Sequence, residues 1–196
     1  MKIYDISQEV FSCAVYPGDP KTERNTLLST ATGDVCNLTA LSLCAHNGTH
    51  VDAPFHFVHN GKTVDQMDLS VFVGDCFVAR HSGEVTAADA QAISHKARGA
   101  QRILIAGKAT VTEEAASVFA AGNILLLGNE SQTVGPENAP MAVHLILLQK
   151  GIALLEGVVL TDVPEGRYFL SAAPLNLGGA DGAPCRAYLI QTEDIL

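Results

Sequence analysis

Four side chains able to bind metal ions or carry protons lie within eleven residues: His46, His50, Asp52 and His56, at offsets of four, two and four. Histidine offers a neutral imidazole nitrogen, and aspartate offers a hard anionic oxygen that can also bridge two ions. Gly48 permits a tight turn, and Pro54 ends any regular element that contains Asp52. In an extended segment His50 and Asp52 face the same way, because strand side chains alternate with period two. The Asn47–Gly48 turn brings His46 back to that face. His56, past the proline, is free to point elsewhere. A helical H-E-x-x-H zinc site is excluded, since Asn47 stands where the glutamate would be and Gly48 is a poor helix former.

Ligands have to surround an ion, so one segment is not enough. The candidates to complete the set are His144, in the apolar run 141–148, and Glu156, just after the apolar run 152–155. Each has an ordinary structural explanation too. A lone histidine in an apolar helix is commonly a hydrogen-bonded core residue, and an acid at a strand end commonly faces solvent. The strand end speaks for Glu156, because sites in α/β proteins gather at strand carboxyl ends. His59, His81 and His95 stand alone and read as ordinary hydrogen-bonded residues.

The elements that must position these groups are partly legible. Ile3–Ile6 reads as a first strand. Thr39–His46 alternates and predicts a strand with His46 at its end. Val71–Ala79 is a further strand. Thr86 opens a helix reaching about Ala97, with Asp89 at capping-box spacing. Arg102–Ala106 is a short continuous apolar run, the mark of a strand covered on both faces. Thr112 caps a second helix that stops near Gly122, and residues 123–128 form another buried strand. Asn138 and Pro140 suit the N-cap and first turn of a third helix, which carries His144 and ends before Gly151. Residues 152–155 make a core strand with Glu156 next to it. Tyr168–Ala173 and Cys185–Ile190 supply late strands. Strands and helices alternate through the middle, which predicts an α/β domain.

With 196 residues, 47% hydrophobic and 17% charged, the chain can bury one sizeable core. Its formal charge of −9 and lack of basic runs argue against nucleic acid and anionic membranes as partners. No apolar run approaches a membrane span, and the N-terminus lacks a signal-peptide core. Five cysteines without a C-x-x-C pair read as reduced thiols of a cytoplasmic protein. Cys44, close to His46, is expected to be a small buried strand residue and not a ligand. No G-x-S-x-G elbow, phosphate-binding Walker loop or G-x-G-x-x-G fingerprint is present.

The run His46-x-Gly48-Thr49-His50-x-Asp52-x-Pro54-x-His56 resembles the signature of the cyclase family of metal-dependent hydrolases, which includes bacterial kynurenine formamidase and isatin hydrolase. Tyr16-Pro17-Gly18-Asp19 resembles that family's aromatic-Pro-Gly-Asp loop, whose aromatic helps wall the substrate pocket. Tyr16 stands where kynurenine formamidases often carry tryptophan. His144 followed by Leu155-Glu156-Gly157 resembles the second metal-binding segment, and 162–166 with 174–187 resemble the C-terminal pattern. Residues 128–136 depart from it: Glu130 replaces a first aspartate, and Gly135 leaves a second acid missing.

The resemblance implies one α/β domain over residues 1–196, of the swivelling β/β/α type. It implies one or two Zn²⁺ ions, or Mn²⁺, held by His46, His50, Asp52, His144 and Glu156, with Asp52 as the bridge in a two-ion site. An ion of this kind lowers the pKa of bound water from 15.7 to about 7. His56 is then the general acid/base and Tyr16 a substrate contact. The implied substrate is a small aromatic amide, N-formylkynurenine first, split into kynurenine and formate. A cyclic amide, imide or lactone is the alternative within the family. A binding protein that kept its ligands without catalysis is the alternative outside it. A homodimer or larger homo-oligomer is implied as well.

Overall fold

The computed structural model describes residues 1–191. In chain order the strands and helices are β1 (Lys2–Asp5), β2 (Glu23–Leu28), β3 (Leu38–Ser42), β4 (His50–Asp52), β5 (Val73–Arg80), β6 (Gly83–Val85), α1 (Ala87–Ala97), β7 (Arg102–Ala106), β8 (Ala109–Val111), α2 (Glu113–Ala121), β9 (Leu126–Asn129), α3 (Met141–Leu148), β10 (Ala153–Glu156), β11 (Gly166–Ser171), β12 (Gly182–Pro184) and β13 (Tyr188–Gln191).

The middle of the chain follows the alternation expected from its apolar runs. β5, β7, β9 and β10 pair in parallel, and α1, α2 and α3 are the crossovers between them. α1 begins where predicted, with Thr86 and Asp89 closing a reciprocal capping box. α2 begins on the Thr112 hydroxyl, which accepts from the Ala115 amide. α3 differs: Pro140 occupies the cap position, not Asn138, and no side chain caps it. Its carbonyl takes up the His144 amide and ring instead.

Both faces of the central strands are covered, so their sequences do not alternate in polarity. Ile103, Ile105, Leu127 and Leu154 face a layer built by all three helices, with Ile93, Phe119 and Leu147 in it. Leu104, Cys76, Val78 and Leu155 face the opposite layer, filled by Phe72, Tyr168, Leu170 and Leu189. Antiparallel strands extend the sheet on both sides into nine strands, in the order β1-β13-β11-β5-β7-β9-β10-β4-β12, and the sheet curls over that second layer.

Two strand expectations need correction. The alternating segment from Thr39 does not run to His46. Its strand stops at Ser42 and pairs only with β2 in a separate two-stranded ribbon. Every residue of the ribbon except Leu28 is exposed, so its alternation marks no core face. Cys44 accordingly lies outside any strand and is half-buried. The short strands β4 and β12, three residues each, bring the site together.

Candidate metal centre and active site

The site forms where β4 joins the carboxyl end of β10. Glu156 is the last residue of β10 and lies opposite His50 in the antiparallel register, with Leu154 opposite Asp52. His50 and Asp52 project from the same face of β4, as the period of two requires, and both are buried. α3 lays His144 across the same point. His50 Nε2 lies 3.4 Å from Asp52 Oδ1 and 3.5 Å from Glu156 Oε2. His144 Nε2 lies 3.5 Å from Asp52 Oδ2 and 3.3 Å from Glu156 Oε1. His46 reaches the cluster from a turn, with Nδ1 2.8 Å from Asp52 Oδ1. Gly48, at φ 65°, provides the left-handed residue of that turn.

Hydrogen bonds beyond the cluster fix how the rings face. His50 Nδ1 donates to the Gly48 carbonyl at 3.0 Å, and His144 Nδ1 donates to the Pro140 carbonyl at 2.8 Å. Each ring therefore turns its Nε2 lone pair toward the carboxylates, the arrangement found around metal-ligating histidines. Lone pairs then meet lone pairs, which is unfavourable without a proton or cation between them. Asp52 Oδ2 is buried without a hydrogen-bond partner. The protein compensates by holding protons. Burial works against a charged His144, but the facing carboxylates of Asp52 and Glu156 outweigh it and push its pKa up to about 10. His50 rises well above its usual value against the same burial penalty, and Asp52 falls well below its own. Two buried imidazoles and two buried carboxylates, with the half-buried His46 beside them, attract positive charge so strongly that the set fits a divalent cation.

The position of His56 beyond Pro54 predicts a ring standing clear of the ligands, and the structure instead brings it against His46. Pro54 opens a single helical turn over Pro54–His56 that swings the ring back beside His46, with centroids 4.0 Å apart. Burial, the largest influence, holds the His56 pKa below its usual value. Its ring is also near enough to His46 and Asp52 to share an ion with them.

Above the cluster opens a pocket of about 200 Å³. Tyr16, Phe57 and Pro140 form apolar walls; Asp19, Gln132 and Thr133 add polar edges; His46, His50, His56, His144 and Glu156 lie at its base. The Tyr16 hydroxyl donates to the Glu137 carbonyl at 2.6 Å, so the ring is pinned as a wall. Glu130 does not reach the pocket as a substitute acid. Its oxygens accept the backbone amides of Gly107 and Leu160, which makes it a structural clamp.

One carboxylate that meets these rings was not singled out from the sequence. Asp181 Oδ2 lies 2.9 Å from His46 Nε2 and 3.1 Å from His56 Nδ1. A lone acid in the glycine-rich stretch Gly178-Gly179-Ala180-Asp181-Gly182 was the available signal.

The curled sheet, its helical layer and this cluster define a metal-dependent hydrolase type of architecture. The chain belongs to the cyclase family, whose model matches residues 4–127. It is similar to kynurenine formamidase of Salinibacter ruber, 34% identical over 99% of this chain and 100% of that one. A solved structure described as a potential metal-dependent hydrolase with cyclase activity superposes with a TM-score of 0.81 at 30% identity, over 96% of each chain. Isatin hydrolase A of Labrenzia aggregata shares the fold, with a TM-score of 0.83 at 21% identity over 97% of this chain and 94% of that one.

Proposed function

We propose that this protein is a metal-dependent amide hydrolase of the arylformamidase type, acting on N-formylkynurenine or a close aryl formamide. The carrying observation is the convergence of His46, His50, His144 and Glu156 on Asp52 beneath an aromatic-walled pocket. Likeness to a kynurenine formamidase along the whole chain supports the substrate class. The five cluster residues would hold Zn²⁺ or Mn²⁺, one ion or two, with Asp52 placed to serve both. Such an ion is a Lewis acid that polarises a carbonyl oxygen and makes water nucleophilic at neutral pH.

The remaining steps belong to the chain. Tyr16 and Phe57 wall the pocket and hold the aryl ring so that its formyl group faces the cluster. His56 takes the proton from the attacking water and returns it to the nitrogen that leaves, since an amine is a poor leaving group until protonated. Its lowered pKa suits the first half of that cycle.

We also read the protein as a cytoplasmic homodimer or larger homo-oligomer. The five unpaired cysteines support the first reading, and the exposed β2–β3 ribbon supports the second. Among the described residues no helix is long and apolar enough to cross a membrane.

The test is formate release from N-formylkynurenine by protein loaded with zinc or manganese, against protein stripped by a chelator. Turnover that disappears on stripping and returns with metal is expected. Turnover unchanged in rigorously metal-free protein, or none in the loaded form, would overturn the proposal.

A further inference from the structure

We propose that Asp181 is a positioning residue: its carboxylate sets which ring nitrogen of His56 carries the proton and holds His46 toward the metal cluster. This rests on the reading of His56 as the proton carrier. One oxygen, Oδ2, serves both rings, at 3.1 Å from His56 Nδ1 and 2.9 Å from His46 Nε2. An ionised carboxylate only accepts hydrogen bonds, so each facing nitrogen must carry a hydrogen. His56 is therefore the Nδ1–H tautomer, with its lone pair on Nε2. That nitrogen is free of Asp181 and available to the pocket. His46 likewise donates from Nε2 to Asp181, and its Nδ1 faces Asp52 Oδ1 at 2.8 Å, where a proton sits unless a bound cation takes its place. A histidine whose second nitrogen is held by a carboxylate keeps its orientation and gains basicity.

The contact is built into the sheet. Gly182 pairs with Asp52 in the β12–β4 register, and the Asp181 carbonyl accepts the Ala53 amide at 2.9 Å. The backbone on both sides of the carboxylate is thus locked to the strand that carries His50 and Asp52. A surface acid meeting a histidine by chance would lack this tie. The side chain itself is about two-fifths exposed, so its removal opens no cavity in the core.

The test uses full-length protein, labelled with ¹⁵N-histidine and loaded with zinc, as wild type and as Asp181→Ala. Long-range ¹H–¹⁵N spectra report the tautomer of each ring, and His56 is assigned by the signal lost in His56→Ala. Wild-type His56 should be the Nδ1–H form. Asp181→Ala should move it to Nε2–H, the form that imidazole prefers in water. At saturating metal, kcat on an aryl formamide should fall about 10–100-fold, the usual consequence of losing a partner that orients such a ring. KM should change by no more than a few fold, and Asp181→Glu should recover part of the loss.

A wild-type Nε2–H tautomer, or one unaltered in Asp181→Ala, overturns the proposal. So does a kcat that excess metal restores in full, since Asp181 would then act through His46 alone. Should Asp181→Ala fold poorly, Asp181→Asn keeps the shape and loses the charge, and the same readouts apply. Absence of formate release by the wild type would sink the hydrolase reading, while the spectra would still decide the role of Asp181.

Discussion

Gly182→Ala measures how tightly the centre depends on one close approach of backbone to ring. A Cβ at residue 182 would lie 2.6 Å from the Val51 carbonyl oxygen and 2.8 Å from His46 Cε1. Carbon contacts settle near 3.5 Å, so the His46 ring would have to move by roughly 0.7 Å, or β12 would have to separate from β4 by a similar amount. Overpacking of this kind costs about 1–3 kcal/mol. For a chain of this size each kcal/mol lowers Tm by about 2–4 °C, so a fall of about 2–12 °C is expected. Metal distances tolerate only about 0.2 Å of error, so a displaced His46 should also weaken metal binding by about tenfold or more. Gly178→Ala is the control, because a Cβ there meets nothing within 4 Å. Calorimetry of the stripped and loaded forms, with a competitive zinc indicator, reads both quantities. If Gly182→Ala matches Gly178→Ala in Tm and in zinc affinity, the reasoning about this approach is wrong.

Three further outcomes follow from the same geometry. His56→Ala should keep its metal and lose about 10²–10⁴-fold in kcat on an amide, with a smaller loss on an aryl formate ester, whose leaving oxygen needs less protonation; metal content and kcat on one preparation check this, and joint loss of metal and rate would make His56 a ligand. Burial raises the Cys76 thiol and pushes Cys185 up to about 12, so at pH 8 both remain protonated and iodoacetamide should label exposed Cys36 first; mass spectrometry showing Cys76 or Cys185 labelled before Cys36 would contradict this order. Leu38→Asp with Leu41→Asp should shift a dimer toward monomer in sedimentation without lowering the monomer's helix content, because both side chains project from the exposed ribbon; an unaltered assembly would remove the ribbon from the interface.

Contacts between residues close along the chain make much of the molecule legible from its sequence. The starts of α1 and α2 follow from Thr86 with Asp89 and from Thr112, because a cap is a contact between residues two or three apart. β7 falls where predicted because a strand covered on both faces is apolar along its length, as Ile103–Ala106 are after the hydrogen-bonded Arg102 at its start. His46, His50, Asp52 and His56 stood out by density, and the period of a strand already placed His50 beside Asp52.

The rest depended on register between distant segments, which no local pattern records. His144 and Glu156 each had an ordinary explanation until α3 and the β10–β4 pairing placed both against Asp52. The alternation from Thr39 misled because a projecting ribbon alternates as a buried strand does, and only tertiary contacts tell them apart. Asp181 carried the least signal of all. It lies 125 residues from His56 and 135 from His46, and three residues of antiparallel pairing bring it there. The sequence determined which chemistry this chain could perform, through residue types and short-range spacing. The tertiary structure decided which of those groups meet, because strand pairing alone sets distances between residues so far apart along the chain.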